Sequence, residues 1–287
     1  MKTPYVDISK IGETVSELER LLRFNFVTQS PAFAGNHLEI LTTKKKKEPL
    51  SSWLSHVSEH HNVGNIEHRQ YGLSKIAGLI VDLQTLEKKN EDLLRHFQKL
   101  YKKTPENNFW GFRFEIDVAS TLVKRSINFE LGADLPGKDE KNGDFKIGNV
   151  AIECTSANIT KRRDSDYLYK IQSAVTSKKG KAYCSNSTAL FVDITNLYFQ
   201  RAALGRPMQN EEVRNQMKES LYKTEFGALV LSLWFFNKAH KPVGYMNTLL
   251  REDNKIVDPE LALFLSEGYG LNQNLDPIQK FAVSGNY

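Results

Sequence analysis

One short segment constrains this chain more than any other: Gly143-Asp144-Phe145-Lys146-Ile147-Gly148-Asn149-Val150-Ala151-Ile152-Glu153-Cys154-Thr155. A Gly-Asn pair between two runs rich in apolar residues is a strong short-range signal for a β-hairpin. Closed at Gly148-Asn149, the hairpin sets Ile147 against Val150, Lys146 against Ala151, Phe145 against Ile152 and Asp144 against Glu153. Cross-strand partners hold their β carbons about 5 Å apart, and like charges placed directly opposite repel. The arrangement therefore asks for a cation, and a hard divalent metal held by carboxylate oxygens would supply it. Alternation along the second strand puts Val150, Ile152 and Cys154 on one face and Ala151, Glu153 and Thr155 on the other.

The preceding segment, 109–126, has helical periodicity and adds a third carboxylate. On a helical wheel Glu115 falls in the middle of the stripe made by Phe112, Ala119, Leu122 and Val123, while Arg113, Asp117, Ser120 and Lys124 cluster on the opposite side. Glu115 is thus expected to face the core and Asp117 the solvent. A carboxylate on a buried stripe needs a partner or a function.

The wider pattern gives the architecture. Ile11, Val15, Leu18, Leu21 and Leu22 recur at helical spacing, and a longer helical pattern runs from Tyr71 to Tyr101 before a stop at Thr104-Pro105. Residues 1–105 read as a mostly helical N-terminal region. From 106 to 287 the texture becomes α/β: the helix at 109–126, strands at 127–132, 144–147 and 150–155, a helix at 165–179, a strand at 188–195, a helix at 210–223 and a strand at 228–236. Beyond Lys238 the chain reads as loop, except for a short helix from Pro259 to Leu265.

A helix with an inward Glu, a hairpin with Asp and Glu opposed, and a following Lys-rich helix together resemble the PD-(D/E)XK nuclease superfamily over residues 107–236. The resemblance implies a restriction-endonuclease-like core, a mixed central sheet flanked by helices. It implies that Glu115, Asp144 and Glu153 are metal-binding carboxylates for Mg²⁺ or Mn²⁺. The family's strand carries Glu-x-Lys, and Thr155 stands where that lysine would be. Some such families supply the lysine from the next helix. Lys170 is the favoured substitute, Lys178, on the stripe with Tyr167, Ile171 and Val175, the second, and Lys161 in the connecting loop the third. The implied activity is metal-assisted hydrolysis of phosphodiester bonds in nucleic acid, with DNA the favoured substrate and restriction or antiviral defence a setting common to such nucleases. Lys161, Arg162, Arg163, Lys178 and Lys179 would track the nucleic-acid backbone. The alternative is a catalytically inactive module of the same fold that binds nucleic acid or a protein partner. The N-terminal region would serve substrate, a partner protein or a second copy of the chain.

Other readings are weaker. Among 287 residues, Lys and Arg number 39 against 34 Asp and Glu, a net charge of +5 that permits a polyanionic partner without requiring one. The longest apolar run, Gly227 to Phe236, is too short to cross a bilayer, and Met1 to Lys10 lacks a signal-peptide core. With two cysteines, Cys154 and Cys184, a reducing cytoplasmic setting is the expectation. His56, His60, His61 and His68 lack the glutamate spacing of a zinc protease, and a polar helical surface accounts for them. Asp193 ends an apolar run, where a structural role is expected. Trp110, Trp234, Phe235 and Phe236 are expected in the core, and no phosphate-loop or dinucleotide glycine pattern occurs.

Overall fold

The computed structural model describes residues 11–25, 50, 53–54, 57, 66–105, 108–132, 143–157, 167–198, 208, 210–236, 242–252 and 257–271. The chain divides into two compact units, Met1–Lys124 with Phe235–Val243, and Arg125–Trp234 with Gly244–Tyr287. Among the described residues no helix is long and apolar enough to cross a membrane.

The first unit is helical: α1 (Ile11–Leu22), α2 (Ile66–Lys89), α3 (Glu91–Tyr101) and α4 (Phe109–Lys124). Helix α1 buries Val15, Leu18, Leu21 and Leu22, the stripe its spacing predicts. The expected helix from Tyr71 to Tyr101 is two helices, because Asn90 interrupts it. The Asn90 side chain accepts the Leu93 N–H at 3.1 Å and so opens a new helix, as a short amide that competes for backbone donors does. Glu91 and Asp92 then fall in the first turn of α3, where the helix dipole favours negative charge.

Helix α4 falls within this first unit. Its Arg113 Nη2 lies 2.9 Å from Asp82 Oδ2 on α2, with both side chains buried, and Lys124 Nζ lies 3.2 Å from Asp82 Oδ1. The Phe112 ring meets Phe97 of α3 at 6.0 Å. The side of α4 expected to face solvent therefore carries two buried residues, Arg113 and Ser120, and Asp117 is half-buried. Glu115, expected to be inward, is half-buried as well. The wheel misjudged the helix because Asp82 supplies a carboxylate partner that lets Arg113 be buried. Trp110 carries the Lys75 ammonium over its ring at 5.2 Å and stacks edge-on with Trp53 at 4.6 Å.

The second unit is built on a mixed sheet of six strands, flanked by helices and arranged in chain order: β1 (Glu130–Leu131), β2 (Phe145–Ile147), β3 (Val150–Ser156), β4 (Thr188–Asp193), β5 (Ala228–Phe236) and β6 (Pro242–Leu250). The first three strands are antiparallel, and β3, β4 and β5 run parallel. Helix α5 (Tyr167–Thr176) connects β3 to β4 and helix α6 (Asn210–Tyr222) connects β4 to β5. Two successive right-handed crossovers in one direction put both helices on the same face of the sheet, and they pack on each other. Strand β4, covered on both sides, is buried throughout, which explains its unbroken apolar run. The expected α/β class thus holds.

Strand β6 was not foreseen. It begins with a proline and contains Gly244 and Asn247, a composition that hides a strand at the sheet's edge. After it, Arg251 is buried: Nη1 donates to the carbonyls of Thr224 at 2.7 Å and Phe226 at 3.1 Å, and its backbone N–H donates to Gly227 at 2.9 Å. One guanidinium thus closes the turn between α6 and β5. A last helix, α7 (Pro259–Leu263), is capped by Asp258, which accepts the Glu260 N–H at 2.8 Å, and continues into a wider turn at Phe264–Gly268. Tyr269 then meets Phe191 of β4 edge-on at 5.1 Å. Trp234, Phe235 and Phe236 have side chains outside the described set.

Two predictions follow from the helical unit. Removing one partner of a buried pair strands the other, so Asp82→Ala should cost about 3–5 kcal/mol in urea unfolding, and replacing Asp82 and Arg113 together by Leu and Met should cost much less. At the surface, Arg20 holds Glu87 at 2.9 Å and Glu17 at 2.8 Å, and these bonds lower both carboxyl pKa values below their ordinary 4.5. A carboxylate whose pKa is depressed on folding contributes stability above its unfolded pKa and loses it as pH falls through the folded one. The melting temperature should therefore drop more steeply below about pH 4.5 in the wild type than in Arg20→Ala.

Candidate active site

The hairpin closes where the sequence places it. Ile147 pairs with Val150, Lys146 with Ala151 and Phe145 with Ile152, and Gly148 takes φ +58° at the first turn position, a conformation glycine adopts without strain. In an antiparallel ladder, hydrogen-bonded pairs alternate, so after Ile147/Val150 and Phe145/Ile152 the next would be Gly143/Cys154. The chain instead bends at Asp144, and the Cys154 N–H donates to Asp144 Oδ2 at 2.6 Å. Gly143 passes so close to β3 that a β carbon there would lie 2.6 Å from the Ile152 carbonyl oxygen. Glycine before Asp144 is what lets the carboxylate reach the neighbouring strand.

Glu153 lies in mid-strand beside Leu190 of β4 and is only 4% exposed. A carboxylate in that position must find donors or lose its charge. Two donors meet on one of its oxygens: Lys178 Nζ at 2.6 Å and the Tyr183 hydroxyl at 2.9 Å, both to Oε1. The repulsion expected between Asp144 and Glu153 is thus met within the protein, by an ammonium against one carboxylate and a backbone amide against the other.

Both donors come from the turn between α5 and β4. Past Thr176 the helix tightens, with the Lys178 N–H on the Val175 carbonyl at 3.2 Å and the Lys179 N–H on Thr176 at 3.1 Å. The carbonyl of Tyr183 accepts the buried Thr188 hydroxyl at 2.6 Å, which fixes the tyrosine to the first residue of β4.

The sequence ranked Lys170 above Lys178, and the structure brings Lys178 to Glu153. A crossover helix runs back along the sheet, so its C-terminal end reaches the start of β4, two residues from the level of Glu153. Taking Tyr167 as 0°, Ile171 falls at about 40°, Val175 at about 80° and Lys178 at about 20°, a stripe centred near 40°, while Lys170 lies about 100° from that centre. Ile171 and Val175 are fully buried, and the same stripe carries Lys178 inward. Among the described residues the Lys170 side chain forms no hydrogen bond or ion pair. Lys161, Arg162 and Arg163 lie outside the described residues, as do His56, His60 and His61. Lys179 is exposed. Glu115 stands on α4 in the first unit, Asp144 and Glu153 in the second.

Tyr183 escaped the sequence reading. The one signal was an aromatic residue within the otherwise small and polar run Ser177–Ser187. Asp193, read as structural, accepts the Thr195 N–H at 2.9 Å and the Thr195 hydroxyl, closing the turn after β4. It pairs with Ser156, three residues on from Glu153, and so faces the other side of the sheet. Burial pushes the Cys184 thiol pKa up, and Cys154 is buried, so neither is poised as a nucleophile.

Among the described residues, no group of three or more His, Cys, Asp and Glu side chains is gathered to hold a metal ion. The donor set at hand is a pair of hard carboxylates on adjacent chain segments. Mg²⁺ is commonly held by one or two carboxylates together with water and substrate phosphate, so the pair fits what that ion requires. Neither a family model, nor a curated protein, nor a solved structure matches the chain.

Asp144 is a structural acceptor here, and its removal should therefore destabilise the metal-free protein. Asp144→Ala leaves the Cys154 N–H without its charged acceptor and should cost about 1–3 kcal/mol in chemical denaturation without added metal. An unchanged or raised stability would mean that repulsion from Glu153 outweighs that hydrogen bond.

Proposed function

We propose that this protein is a metal-dependent nuclease that hydrolyses phosphodiester bonds of nucleic acid, DNA foremost, with a PD-(D/E)XK-like core whose lysine has moved to the turn after α5. The observation that carries this reading is the contact of Lys178 Nζ with Glu153 Oε1 at 2.6 Å, beside a hairpin that carries Asp144. An acid and a lysine in contact on a mixed sheet, next to a second carboxylate, are the parts that such chemistry uses, although they come from different chain segments.

Asp144 and Glu153 would hold Mg²⁺ or Mn²⁺. When bound, the cation supplies positive charge against the oxygens of the phosphoryl group. Lys178, 27% exposed at its side chain, is open to a phosphate brought to the site. Its ammonium would donate hydrogen bonds to a non-bridging oxygen, where negative charge builds as water adds to phosphorus and loses a proton to solvent, before the bond to the leaving oxygen breaks and that oxygen is protonated. The exposed Lys179 adds charge for the backbone beyond the cleavage point.

The second reading is an inactive module of the same fold that binds nucleic acid. It is favoured by Thr155 at the motif position and by the use of Asp144 as a backbone acceptor. Plasmid, single-stranded DNA and RNA incubated with Mg²⁺, with Mn²⁺ and with chelator separate the two. The nuclease reading expects cleavage that needs metal, reduced about 10²–10³-fold in Lys178→Ala and reduced less in Lys170→Ala. The reverse order would return the role to Lys170. Duplex retardation that weakens with salt, with no cleavage under any metal, would establish the inactive module.

A further inference from the structure

The two donors on Glu153 differ in kind, and the difference carries an inference that rests on the metal-dependent reading above. Tyr183 is buried, with its backbone tied to Thr188 at 2.6 Å. Its hydroxyl has a rigid ring behind it and reaches Oε1 at 2.9 Å. Lys178 reaches the same oxygen from a flexible four-carbon stem that is partly open to solvent. One donor is a phenol on a buried ring, and the other an ammonium on a flexible, partly exposed stem.

We propose that Lys178 holds the cation's place in the metal-free protein and moves onto substrate phosphate when a divalent cation arrives, while Tyr183 stays on Oε1 as the positioning residue that keeps Glu153 aimed. A carboxylate 4% exposed needs a positive neighbour at every stage, and Lys178 and the metal would take turns in that role. The exchange leaves Glu153 with a single oxygen already spoken for, so that Oε2 is the oxygen neither donor touches. A group behind a metal ligand that fixes its orientation commonly accounts for 10–100-fold in metal affinity.

The two roles have opposite signs in metal binding, and this makes them separable. Calorimetric titration of the full chain with Mn²⁺ alone, without nucleic acid, should give affinity about 10–100-fold weaker in Tyr183→Phe. Lys178→Met removes a competing charge and should bind Mn²⁺ about tenfold more tightly. Thermal melts run alongside should show Tyr183→Phe close to the wild type. Lys178→Met should melt lower without metal and recover when Mn²⁺ is added. If Lys178→Met does not fold without metal, Lys178→Gln takes its place, and failure of Mn²⁺ to restore either variant overturns the exchange. Weakening in both variants, or no change in either, would mean that the Lys178 and Tyr183 contacts are structural and would overturn the inference, while the wild-type affinity kept the metal reading standing. A wild type that takes up no Mn²⁺, or a Glu153→Gln variant that binds it as well as wild type, removes the metal from this site and the inference with it.

Discussion

The burial of one carboxylate governs the second unit. Glu153 sits in mid-strand between hydrophobic neighbours, where an ionised group is tolerated only with donors close at hand. Much of the local structure follows from that demand. Helix α5 must end where Lys178 can turn inward, the turn after it must present Tyr183, and Thr188 must hold the tyrosine's backbone. A pair of this kind is weak grounds for stability, since desolvation offsets much of the attraction.

Much of this was legible in the sequence, and the limits of legibility have physical causes. The hairpin register could be read because a Gly-Asn turn leaves one way to pair the flanking residues. The failure of the ladder at Asp144 could not, because a bend and a side-chain acceptor leave no mark in alternation. The stripe that carries Lys178 was visible as a helical period. What was missing was the path of the crossover, which decides whether the start or the end of the helix lies over Glu153. Tyr183 sits in a turn, where no period exists to reveal it.

The helical unit repeats the lesson with a different residue. A wheel sorts residues by polarity, and it sent Arg113 to the surface. The chain spends Asp82 to bring it inside, and with it the whole of α4 joins the N-terminal helices. Asn90 shows the same limit from the other side: a helix can stop and restart within a continuous apolar pattern, because one amide prefers to cap.

The buried guanidinium of Arg251 has a consequence for the order in which the chain is made. It closes the end of α6 and the entry to β5 from a position 25 residues beyond Phe226. A ribosome delivers α6 and β5 first, and the carbonyls of Thr224 and Phe226 meet their guanidinium only once Arg251 has emerged. The entry to the third parallel strand thus takes part of its hydrogen bonding from a residue synthesised after it, and a chain cut short before Arg251 would pair β5 with β4 but leave those carbonyls without their guanidinium.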